Sequence, residues 1–202
     1  MATVLVTTGA TVTFTSLIET ILTPEFISSL TNAGVTNLII QYGNEIKHSK
    51  HISTQFFKKQ LESSDLVSCG KFDASQDLNK IVLQNDSIKI VAFPYDSNIS
   101  DFINKSDVVI SHAGTGSIID TLRNNKKLIV VVNDKLMDNH QSEIANEFAK
   151  LQYCLSYAVG DLARDKFFDG LKGLLNDEIM LKRFPEVDGS IVETVISEEL
   201  EK

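Results

Sequence analysis

Three short runs hold the residue types that could do chemistry in this 202-residue chain. One is His112, Ala113, Gly114, Thr115, Gly116 and Ser117, with Asp120 one helical turn further on. Another is Thr8, Gly9, Ala10 and Thr11 near the N-terminus. Glycine lets an anion approach the main chain closely, and a turn that opens a helix offers unpaired N–H groups at the positive end of a dipole. Both runs therefore suit a diphosphate. The third run, residues 133–141, is dense in side chains that bind hydroxyl groups: Asn133, Asp138, Asn139, His140 and Gln141. Asp120 could accept bonds from a ribose diol, or could simply complement the dipole of the helix it sits in.

These runs matter only if the elements around them bring them together. The apolar run at 107–111 reads as a buried strand, and Ile118, Ile119 and Leu122 recur at helical spacing beyond the turn, with Thr115 or Ser117 available as N-cap. Residues 4–6 form an earlier strand ahead of Gly9. From Phe14 a helical pattern runs through Leu17, Ile18, Ile21 and Leu22, breaks at Pro24, and resumes at Phe26, Ile27 and Leu30 until Ala33-Gly34. Strands are expected at 38–40, 88–91, 128–132 and 153–157. Helices are expected from Thr54, over 99–103, around Ile144 to Leu151, and over 162–175. His48 and His51 read as exposed loop residues without ligand spacing, and 63–86 as an insertion with structure of its own. The tail at 190–202 has helical spacing.

Strands alternating with helices at this spacing predict one α/β domain over 1–202, a Rossmann-like parallel sheet with helices on both faces. Ligands of such sheets lie beyond the carboxyl ends of the strands, and all three polar runs follow strands. Strand, glycine turn and helix also occur in α/β proteins that bind nothing there, so the convergence of three loops carries more weight than any one. Phosphate, ribose and a polyhydroxylated group together describe a nucleotide sugar.

Composition narrows the alternatives. With 43% hydrophobic and 23% charged residues the chain reads as globular, and a net charge of −8 without Lys/Arg clusters argues against nucleic acid as a direct partner. The N-terminus lacks a basic region and no apolar run approaches the ~18 residues of a membrane span, so a cytoplasmic chain is expected. Cys69 and Cys154 lie far apart and read as reduced thiols. The first turn lacks G-x-G-x-x-G and no P-loop motif occurs, which disfavours nicotinamide and NTPase readings. No Asp-x-Asp pair is present, so neither a metal nor another cofactor is expected, and a departing diphosphate would rest on helix dipole and backbone donors.

The segments ISHAGTGSIIDTL and LIVVVNDKLMDNHQSEIAN, with TTGAT near the N-terminus, resemble the cytosolic subunit of the two-component UDP-N-acetylglucosamine (UDP-GlcNAc) transferases that add the second GlcNAc to dolichol-linked oligosaccharide. More distantly the chain is similar to the donor-binding, carboxy-terminal half of the bacterial GlcNAc transferase that makes the lipid-linked peptidoglycan precursor. The resemblance implies half of a GT-B glycosyltransferase, with UDP-GlcNAc as donor and a lipid-linked GlcNAc-diphosphate as acceptor. It also implies a membrane-anchored, acceptor-side subunit that holds the chain at the cytosolic face of the endoplasmic reticulum. By position, Gly9, Ala10, Thr11, Gly114 and Thr115 would approach the diphosphate. Asp120 stands where the bacterial proteins carry a glutamate for the ribose, and His112 replaces an arginine. Asn139, His140 and Gln141 would meet the donor sugar. The general base is implied on the other half of the fold, with His140 as the local alternative. The tail at 190–202 is the candidate docking segment for that subunit. Two other readings stay open: a nucleotide-sugar-binding regulatory module, and a free-standing nucleotide-sugar epimerase.

Overall fold

The computed structural model describes residues 1–77, 80–133 and 140–185, and of residues 77, 140 and 141 the backbone alone. The tail at 190–202 and the loop holding Asp138 and Asn139 lie outside the described residues.

In chain order the elements are β1 (Ala2–Thr7), α1 (Thr15–Ile21), α2 (Pro24–Asn32), β2 (Val35–Gln41), β3 (Ile46–Lys47), β4 (Lys50–His51) and α3 (Ile52–Ser63). There follow α4 (Leu66–Cys69), β5 (Asp73–Asp77), β6 (Lys80–Gln84), β7 (Lys89–Phe93), α5 (Ile99–Lys105) and β8 (Val108–His112). The last are α6 (Thr115–Arg123), β9 (Lys127–Val132), α7 (His140–Lys150), β10 (Leu155–Ala158), a 3-10 turn at Val159–Asp161 and α8 (Asp165–Leu175). Pro24 breaks the first helical stretch in two, as its missing N–H dictates: Thr23 caps α2 by accepting the Phe26 N–H, and Pro24 takes the first helical position.

Eight strands form one sheet in the order β10-β9-β8-β1-β2-β7-β6-β5. Six of them, from β10 to β7, run parallel. Segment 63–86 contributes α4 and the β5–β6 hairpin, and β6 pairs antiparallel with β7 to extend that edge. The sheet is therefore parallel at its centre and mixed overall.

Alternation along the strands explains why both faces carry helices. Val4 and Val6 pack with Leu17, Ile18, Phe26, Leu30, Phe167 and Leu171 from α1, α2 and α8. Leu5, between them, packs on the opposite face with Ile103, Ile118, Leu122 and Ala145 from α5, α6 and α7. The same alternation holds in β9, where Ile129 and Val131 face one layer and Leu128 and Val130 the other. Helix α8 places Phe167, fully buried, against Phe26, Phe168 and Tyr157.

Two local expectations are corrected. Ahead of α3 the chain forms a small antiparallel hairpin, β3–β4, rather than a plain polar loop, and the helix begins at Ile52 rather than near Thr54. His48 and Ser49 turn the hairpin with φ of 48° and 62°, both in the left-handed region that such two-residue turns need. The last strand starts at Leu155, because Gln152 at φ 65° and the Tyr153 N–H, bonded to the Phe148 carbonyl, still belong to the exit from α7. Among the described residues no helix is long and apolar enough to cross a membrane.

Candidate functional site

The chain starts in the middle of its sheet, adds β2 and β7 on one side, then returns to add β8, β9 and β10 on the other. The strand order reverses between β1 and β8, and at such a switch point the two following loops part and leave a crevice. Thr7 is level with Ser111 across that pair, so the turn at Gly9 and the turn at His112–Gly114 leave the sheet side by side.

The His112 ring lies between the two turns. A Cβ on Gly9 would stand 2.7 Å from Nε2 and 2.8 Å from Cε1 of that ring, and a Cβ on Gly114 would overlap Nε2 outright. Gly9 also sits at φ +82°, which a side chain would resist by itself. The Nδ1 atom of His112 is buried and has no hydrogen-bond partner among the described residues. Burial holds its pKa below the ordinary imidazole value, with the backbone of Thr7 acting in the opposite direction. Burial thus favours the neutral ring, and the dipoles that line the crevice are those of the main chain.

Helix α6 supplies those dipoles. Gly114 is the N-cap, still extended, and its carbonyl accepts the Ile118 N–H. This corrects the expectation that Thr115 or Ser117 caps the helix: winding begins directly after Gly114, which puts them at the first and third helical positions. The N–H groups of Thr115, Gly116 and Ser117 are the first-turn amides, which have no intrahelical acceptor. Asp120 is exposed in the next turn. Across the crevice, none of the described residues accepts from the N–H of Ala10, Thr11 or Val12. A cleft of about 130 Å³ is lined by Gly9, Ala10, Thr11, Phe14, His112 and Asn133. That is well below the roughly 300–1,000 Å³ of a whole small-molecule pocket, and suits one anionic portion of a larger ligand.

The structure thus brings Gly9, Ala10, Thr11 and His112 to one cleft, with Gly114 against the same ring and Thr115, Gly116 and Ser117 in the helical turn that follows it. His140 and Gln141 open α7 beyond the carboxyl end of β9, while Asn139 and their side chains lie outside what is described. A larger cavity, about 450 Å³, lies at the opposite, amino end of β9 beside Lys127 and Tyr153, away from all of these residues.

Residues that the sequence did not single out hold the Gly9 turn in shape. The Asn44 N–H donates to the Ala10 carbonyl at 2.8 Å, and the Thr13 N–H donates to Glu45 Oε2 at 2.9 Å. Ser53 Oγ accepts from the Glu45 N–H at 2.9 Å and lies 2.8 Å from Thr13 Oγ1. Glu45 is 8% exposed, and its other oxygen pairs with Lys47 at 2.5 Å. The bonds from Lys47 and Thr13 pull its carboxyl down to about 2. Nothing local marks Glu45, which acts across 32 residues of sequence.

Fold and cleft together define a Rossmann-like α/β domain with a glycine-lined cleft at the switch point of its sheet. The model of the glycosyltransferase family 28 C-terminal domain matches residues 53–183. The UDP-N-acetylglucosamine transferase subunit ALG13 of Candida albicans is 46% identical over all of this chain and 75% of its own length. That of Debaryomyces hansenii is 41% identical over the whole of both. Among solved structures, the NMR solution structure of ALG13 superposes with a TM-score of 0.64 at 33% identity, over 96% of this chain and 94% of that one. MurG of Acinetobacter baumannii gives a TM-score of 0.55 at 14% identity, over 87% of this chain and 43% of its own, a likeness of fold. The chain belongs to the glycosyltransferase family 28 C-terminal domain family, alongside these UDP-N-acetylglucosamine transferase subunits.

Two outcomes follow from the packing. Gly114→Ala overpacks His112 and should lower stability by about 1–3 kcal/mol in urea unfolding, and most of that loss should vanish in a His112→Ala background. Gly9→Ala should keep part of its penalty in that background because its φ remains positive; rescue of neither would refute the ring as the shared obstacle. Separately, the bonds to Glu45 favour the carboxylate, whose unfolded value is 4.5. Their contribution is complete above pH 4.5 and is lost as pH falls through about 2. The urea midpoint of the parent chain should therefore fall more steeply between pH 4.5 and 2 than that of Glu45→Gln.

Proposed function

We propose that this chain is the donor-binding subunit of a split transferase that moves GlcNAc from UDP-GlcNAc to a GlcNAc-diphosphate-dolichol acceptor. The observation that carries this reading is the facing pair of amide-rich turns at the switch point, with a neutral histidine between them. The kinship with UDP-N-acetylglucosamine transferase subunits supports the donor. The donor diphosphate lies in the cleft, between the N–H groups of Ala10 and Thr11 and those of Thr115, Gly116 and Ser117, with Gly114 letting it approach the main chain. Asp120 binds the ribose, and Asn139, His140 and Gln141 bind the sugar hydroxyls.

Transfer is inverting. The acceptor 4-hydroxyl attacks the anomeric carbon from the face opposite the diphosphate; the bond to the diphosphate oxygen breaks and UDP leaves with the electron pair. A general base takes the hydroxyl proton. The charge growing on the leaving diphosphate is met by fixed backbone donors and the α6 dipole, which need no reorganisation as the reaction proceeds. This makes the step metal-independent, in keeping with the lack of an Asp-x-Asp pair. The acceptor is embedded in a membrane, so a membrane-anchored subunit presents it, supplies the base and recruits this chain to the cytosolic face of the endoplasmic reticulum.

The direct test is GlcNAc transfer from UDP-GlcNAc to a GlcNAc-diphosphate-lipid by the chain alone and with the membrane subunit. Turnover should require both; turnover by the chain alone would overturn the split, and none in either case would overturn the transferase reading. In the same assay His140→Ala should raise the donor KM. A kcat drop of about 10²–10⁴, the usual worth of a general base, would instead put the base on this chain.

A further inference from the structure

The connection between β2 and α3 grips the Gly9 turn at both ends, and we propose that Glu45 is a positioning residue for the donor diphosphate. The inference rests on the donor-binding reading above and adds to it a residue outside the glycine turns. Asn44 holds the near end of the turn through the Ala10 carbonyl, and Glu45 holds the far end through the Thr13 N–H. Between these two ties lie Ala10, Thr11 and Val12, whose N–H groups have no acceptor among the described residues. The grip therefore fixes the two ends of a loop that lines the cleft and leaves its N–H groups unengaged by any described residue.

The grip is itself braced. Ser53, fully buried at the start of α3, accepts the Glu45 N–H and meets the Thr13 hydroxyl, so three polar groups close into one ring of contacts. The Ile52 N–H donates to the Glu45 carbonyl at 2.8 Å, which ties the strand pair β3–β4 into the same unit. Gly43, at φ +94°, lets the chain pass close: a Cβ there would stand 3.2 Å from Ser53 Oγ and 3.4 Å from the Gly9 carbonyl. Lys47 neutralises the carboxylate on the side away from Thr13, so an anion in the cleft meets a paired acid rather than a bare one. Glu45 touches no donor atom in this scheme. Its work is to occupy the Thr13 N–H and hold the turn in the conformation that receives the diphosphate.

A merely structural glutamate and a positioning one differ in what its loss changes. Calorimetric titration of UDP into the full chain should show Glu45→Ala binding about tenfold more weakly, the scale of one unmade charge-assisted hydrogen bond. Glu45→Gln, which keeps an oxygen for the Thr13 N–H, should recover most of that loss. With the membrane subunit present, Glu45→Ala should raise the UDP-GlcNAc KM by a similar factor and leave kcat within about twofold. Should Glu45→Ala fail to fold, Glu45→Asp, whose carboxylate is set back by one methylene, takes its place with the same expected loss. A parent chain that binds no UDP would overturn the donor-binding reading and this one together. A parent chain that binds UDP beside a folded variant of equal affinity, or a loss confined to kcat, would overturn the role of Glu45 alone.

Discussion

Backbone amides that no carbonyl of the same helix can reach have to be met by something else, and much of this molecule is arranged around that shortage. The first turn of α6 and the loop after β1 both present such groups. A parallel sheet whose order reverses between β1 and β8 sets the two sources side by side at one edge. The neutral ring of His112 then occupies the space between the glycines. Charge in the cleft comes from oriented peptide units, which a rigid scaffold can aim and which do not titrate. For an acidic chain of net charge −8 without Lys/Arg runs longer than two residues, such amides are the donors that the proposed diphosphate site relies on.

Much of this was legible in the sequence because the signals were local. An apolar run ending in glycines and hydroxyl residues, then apolar positions at helical spacing, describes β8, its turn and α6 without reference to anything distant. The same holds for β1 and its turn, and for Pro24 dividing α1 from α2. Where the reading missed, the deciding contact was remote or the local cue atypical. Thr115 and Ser117 are good capping residues by type, yet Gly114, itself extended, takes the N-cap position two residues after the strand and leaves them inside the helix. The β3–β4 turn uses His48 and Ser49 at positive φ, where asparagine or glycine would have announced it.

Glu45 is the clearest case of information absent from any window of sequence. Its neighbours give no periodicity, and its part in the candidate site depends on β1 and β2 lying side by side with Thr7 level with Gln41. Once that register is set, the loops after the two strands must meet, and a carboxylate in one finds the free amide of the other. The side chains of residues 133–141 stand at the other extreme: their types described hydroxyl recognition from the start, and the fold adds that Asn133 faces the same cleft as Gly9.

The central place of β1 also sets an order of assembly. Its partner on one side, β2, follows within the same short stretch of chain, but on the other side the Thr3 N–H bonds to Asp107 Oδ2 across 104 residues. During synthesis from the N-terminus, β1 and β2 can pair while the second edge of β1 still has no strand to meet. That edge, with Val4, Leu5 and Val6 on it, stays open until β8 has been made. Contacts of such separation form slowly, and an open apolar strand is a template for foreign pairing in the meantime. The switch point that creates the crevice thus also creates the interval in which the nascent chain is most exposed to misassembly.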